Sequence, residues 1–175
     1  MKKNDIMNVT ISNTGKLMRT AAVDATLAGV MCVVPALSHM FSIPLYKFNP
    51  MLGVMLAGML LVKDRRNALL MAVVLPMVSM LVTGMPALPK MICMSAELLT
   101  IASVWWMAEG RMKPMWGMLA AIVAGKAVYY LAKALIISPA TLVGTEWWIQ
   151  LASSLVWCLL FVVALGRMQA KKDRA

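Results

Sequence analysis

Charge is what this sequence has least of. Of its 175 residues only 14% are Asp, Glu, Lys or Arg and 62% are hydrophobic, where soluble domains carry about 25% and about 45–50%. That balance excludes a water-soluble globular chain and points to an integral membrane protein. Histidine occurs once, at His39, so a His-Glu-x-x-His metal site cannot be built. A Gly-x-Ser-x-Gly elbow and a Gly-rich loop ending in Lys-Ser/Thr are also missing. With no nucleophile–base pair to name, the chain is not expected to be an enzyme, and any ATP it depends on must be bound by another chain. Cysteine is scarce and odd in number. Cys32, Cys93 and Cys158 sit in apolar runs without C-x-x-C spacing and read as reduced packing residues.

What the sequence does have is apolar runs, separated by short charged or Pro/Gly-rich breaks. A spanning helix needs about 20 such residues at 1.5 Å each, which leaves room for six spans and no soluble domain. The expected order is a polar tail at 1–16, then spans at 17–40, 51–62, 67–82, 90–108, 115–137 and 146–165. The membrane domain is thus 17–167, and 168–175 is a basic tail. Lys2 and Lys3 lead into a polar stretch rather than an apolar signal region, so the first helix is expected to be retained. The second span is short unless the chain from Ile43 onward also lies at membrane depth, which is tolerated where protein covers it. Pro76 is a candidate kink in the third.

The formal charge of +10 could suggest nucleic acid, but its distribution argues otherwise. Lys2, Lys3, Lys16, Arg19, Lys63, Arg65, Arg66, Arg111, Lys113, Arg167, Lys171, Lys172 and Arg174 fall on one side of the spans. Lys47, Lys90 and Lys133 fall on the other. Positive flanks stay in the cytoplasm during insertion. The expected fold is therefore an all-α membrane protein, a compact six-helix bundle with both termini cytoplasmic.

Polar residues inside spans are costly and usually face a bundle interior or a cavity. In the sixth span Glu146, Gln150, Ser153, Ser154 and Trp157 share one helical face, and in the fifth Lys126, Tyr129, Tyr130 and Lys133 do so. In the fourth, Lys90 and Glu97 are a heptad apart. Three successive helices thus point polar groups into one layer, and Thr83–Lys90 forms its rim. Glu97 and Lys126 could be an ion pair fixing helix register. Together with Tyr130, Gln150, Ser153, Trp147, Asn49 and Lys90 they could instead bind a small molecule, since this is more hydrogen-bonding capacity than one pair consumes. Trp147 and Trp148 also fit an interfacial belt. The charged groups suggest a charged or zwitterionic ligand, although pairing between them would leave the layer neutral.

Nineteen methionines raise soft-metal binding at Met91, Cys93 and Met94, but Met is also an adaptable core filler, and no metal is expected. Small residues at four-residue spacing let helices approach closely. In the fifth span Gly117, Ala121 and Gly125 read as packing inside the bundle; in the first, Ala21, Ala25 and Gly29 read as a docking face for a membrane partner.

With its short helices, the spacing Ala21-x-x-x-Ala25, the run Asn49-Pro50-Met51-Leu52-Gly53 and the segment Pro86-x-x-Pro89-Lys90-Met91 leading to Glu97-Leu98, the chain resembles the substrate-binding S components of energy-coupling factor (ECF) vitamin transporters. The resemblance implies a high-affinity binding subunit for a vitamin or its precursor in the plasma (inner) membrane. Ligand would bind between helices four to six, under the loops after helices one and three. Helix one, through Ala21 and Ala25, would dock on a transmembrane T component driven by two ABC ATPases, which carry the ATP. Asp24 beside that face, and Lys126 where similar sequences suggest Arg, depart from the pattern. The alternative expectation is a non-transporting scaffold similar to the small membrane component of bacterial cell-shape machinery.

Overall fold

In lipid, every backbone N–H and C=O must find a partner within the protein, and a run of apolar residues meets that demand by coiling into a helix. The computed structural model describes residues 3–42, 45–84, 86–137 and 147–172, and these are helical throughout apart from short connections, with no strand among them. Among the described residues six helices follow one another: α1 (Lys3–Met40), α2 (Pro50–Val62), α3 (Arg65–Thr83), α4 (Leu88–Ala108), α5 (Pro114–Ile136) and α6 (Trp147–Lys172). A 3-10 turn, Leu45–Phe48, leads into α2. The loop expected at 138–145, and Glu146, lie outside the described residues.

Helix ends follow local chemistry. Pro50 and Pro114 open α2 and α5, where a missing N–H costs nothing, and Pro89 sits in the first turn of α4. Asp64 caps α3 by accepting a hydrogen bond from the Arg66 amide at 2.9 Å. Gly84 ends α3 in the left-handed conformation at φ 71°, where its N–H reaches the Met80 carbonyl. Pro76 lies inside α3, which runs through it unbroken.

Five of the six helices, with α1 counted over Thr14–Ser38, are long and apolar enough to cross a membrane, as in a multi-pass membrane protein. The exception is α2, whose 13 residues reach roughly 20 Å at 1.5 Å per residue, short of a hydrocarbon layer of about 30 Å. Seven of its 13 residues are buried by protein instead.

Neighbouring helices close a ring, α2–α3–α4–α5–α6 and back to α2, with α1 laid against α2 and α3. Leu52, Leu75, Ile101, Ala102, Met118 and Ala121 fill the interior, and Trp105 of α4 meets Phe161 of α6 edge-on at 5.1 Å. The most extensive contact is that of α4 with α5, along Gly117, Ala121 and Gly125. A Cβ on Gly117 would stand 3.2 Å from that of Ala108, and one on Gly125 would collide with Ile101 and stand 3.1 Å from the Glu97 carbonyl oxygen. The small stripe of α5 is thus a packing surface.

The stripe on α1 differs. Ala21, Ala25 and Gly29 are exposed, and a Cβ on Gly29 meets nothing within 4 Å. Gly125→Val is expected to lower stability by ~1–3 kcal/mol through overpacking, while Gly29→Ala costs nothing; thermal unfolding in mild detergent measures both.

Candidate functional site

The tight α4–α5 contact sets the geometry of the polar centre. With no side chain at Gly125, the α5 backbone lies against α4 one residue before Lys126, which brings Lys126 Nζ to 2.7 Å from Glu97 Oε1. Both residues are almost completely buried, Glu97 at 3% and Lys126 at 5% exposure. At 1.5 Å per residue Glu97 lies roughly 14 Å along α4 from Leu88, and Lys126 roughly 15 Å along α5 from Ile136, so the pair sits near the middle of the bundle. The lysine also lies 5.5 Å from the centre of the Tyr129 ring, within range of the ring quadrupole.

A third group arrives from the start of α2. Asn49, in the left-handed conformation at φ 49° and ψ 56°, directs its Nδ2 to Glu97 Oε1 at 3.4 Å. Asparagine adopts that backbone more readily than most residues. The segment before α2 therefore dips to the level of the charged pair, as the shortness of the second span suggested. It is held there by α6: Trp157 Nε1 donates to the Phe48 carbonyl at 2.9 Å. The indole lies against Gly53, where an added Cβ would fall 2.5 Å from it. The glycine of the Asn-Pro-Met-Leu-Gly run thus makes room for a tryptophan.

Of the residues expected to form the site, the structure brings together Glu97, Lys126 and Asn49. Tyr130 is half-buried, edge-on to Tyr129 at 5.3 Å; of the two it is Tyr129 that faces the lysine. Ser153 is buried, and its hydroxyl donates to the Gln150 carbonyl at 3.0 Å, as does that of Ser154 at 2.7 Å. Those hydroxyls serve their own helix. Trp147 stacks on Trp148 with ring centres 3.6 Å apart and is exposed in the first turn of α6, while Lys90 is exposed in the first turn of α4. Lys90 stands about two turns before Glu97 along α4, and Trp147 opens α6.

Trp157, Gly53 and Tyr129 were visible in the sequence only as stripe or motif members. A glycine in an apolar helix, on a short span that must be covered, is the signal that a large side chain lies against it. Asp24 of α1 accepts a hydrogen bond from Asn67 Nδ2, in the first turn of α3, at 3.0 Å. Among the described residues no three His, Cys, Asp or Glu side chains gather as a metal site.

Removing one member of a buried pair strands the other, at about 3–5 kcal/mol. Glu97→Gln or Lys126→Met alone is therefore expected to destabilise the bundle strongly, and Glu97→Gln/Lys126→Met together to recover most of the loss. A double-mutant cycle on thermal unfolding in detergent reads the difference.

Compared with protein-family models, curated proteins and solved structures, the chain matches none.

Proposed function

We propose that the chain is the substrate-binding membrane subunit of an ECF-type uptake transporter, taking a vitamin or vitamin precursor from outside the cell. The observation that carries this reading is the convergence of Asn49 on the Glu97–Lys126 pair in the middle of an apolar bundle. Helix packing alone requires no charge at that depth, and ionisable groups inside spans commonly mark a substrate path. The turn at 45–48 leads directly into Asn49, which reaches the pair, the position a closing loop would need.

In this reading the bundle counts as six spans in the plasma (inner) membrane. The Lys/Arg-rich ends, with both termini, face the cytoplasm, and the opposite ends form the entrance. The exposed Ala21, Ala25 and Gly29 of α1 dock on a transmembrane T component, and two ABC ATPases supply the energy. The chain itself carries no cofactor and performs no chemistry.

A second reading follows from the same pair. Glu97 and Lys126 satisfy each other at 2.7 Å, which is also what a register-fixing pair in a non-transporting scaffold of cell-shape machinery would do.

Native mass spectrometry of protein purified in mild detergent is expected to find a co-purified small molecule, and Lys126→Ala to weaken its binding by about tenfold or more. Protein that carries no small molecule, together with cross-links to morphogenesis partners, would turn the assignment to the scaffold.

A further inference from the structure

The donors around Glu97 reveal what kind of group the pair accepts. Lys126 and Asn49 both approach Oε1, at 2.7 and 3.4 Å, so neither contact uses Oε2. An ammonium carries three donors, and Glu97 and Lys126 cancel in charge. Among the described residues no other Asp, Glu, Lys or Arg is buried. A ligand of net charge would leave this layer charged in a low dielectric, and a zwitterion would add two more ions to desolvate.

A carboxamide does neither. It offers an N–H donor beside a C=O acceptor, the complement of a carboxylate beside an ammonium. The chain presents one such group already: the Asn49 side chain is a carboxamide, and its 3.4 Å contact lies beyond the usual N–H···O range. A cyclic amide holds its N–H and C=O on the same side, so it can address both members of the pair at once. Its flat ring also suits the neighbouring Tyr129.

We propose that the Glu97–Lys126 pair receives the N–H/C=O edge of a neutral cyclic amide, a lactam or ureide, in place of the Asn49 carboxamide. The ligand N–H donates to the Glu97 carboxylate and its C=O accepts from Lys126 Nζ. This rests on the uptake-subunit reading and names its substrate class.

Isothermal titration calorimetry on the full chain in mild detergent tests it, with uracil and xanthine, their N-methylated counterparts 1,3-dimethyluracil and caffeine, nicotinate as a probe of net charge and glycine betaine as a zwitterionic one. Uracil or xanthine is expected to bind at least about tenfold more tightly than its methylated counterpart, which has lost the donor. Asn49→Gly, which keeps the left-handed backbone and removes the competing amide, is expected to tighten that binding several-fold. Preference for nicotinate or betaine overturns the proposal and leaves the uptake reading standing, as does a co-purified molecule without a cyclic amide. Weaker binding in Asn49→Gly overturns the displacement of Asn49. No binding of any probe and no co-purified molecule overturns both readings.

Discussion

A carboxylate and an ammonium withdrawn from solvent are tolerable only together. Each ion costs several kcal/mol to desolvate, and their mutual attraction offsets that only at contact distance and with further hydrogen bonds. The Glu97–Lys126 pair therefore constrains the structure around it. It requires α4 and α5 to approach closely, which the glycines and alanine of α5 permit. It also draws in an added donor, which Asn49 provides. Asn49 in turn requires the segment before α2 to reach the middle of the bundle, and Trp157 holds that segment in place through Phe48.

The helices were legible because apolar runs and their breaks report lipid contact directly. The boundaries of α2 to α5 fall within about two residues of those read from composition. The outer ends of α1 and α6 were not, since α1 extends back to Lys3 and α6 on to Lys172. A helix does not need apolar side chains once it leaves the lipid, so composition cannot mark where it stops.

Of the site, the sequence disclosed what each helix contributes but not which contributions meet. Glu97 and Lys126 were recognisable because charge inside a span is rare. Ser153 and Gln150 share the right face of α6, yet the serine hydroxyl turns back to its own helix, a choice that face periodicity does not record. Trp147 stands on Trp148 at the end of α6, whereas Trp157, deeper on the same helix, supports the turn. The distinction depends on Gly53, a residue on another helix, and so lies beyond any single stretch of sequence.

The brevity of α2 bears on how the chain is made. A helix of 13 residues cannot be held by a bilayer on its own length, so during synthesis it has no stable resting place until its neighbours exist. The connection Lys63-Asp64 joins it closely to α3, and the two can enter lipid as one hairpin, with α1 already there to receive them. The 3-10 turn and Asn49 can take their final depth only after α4 and α6 have arrived, since their partners Glu97 and Trp157 belong to those helices. The hold of Trp157 on the segment before α2 is thus the last of these contacts to form, and a chain interrupted before α6 would lack it.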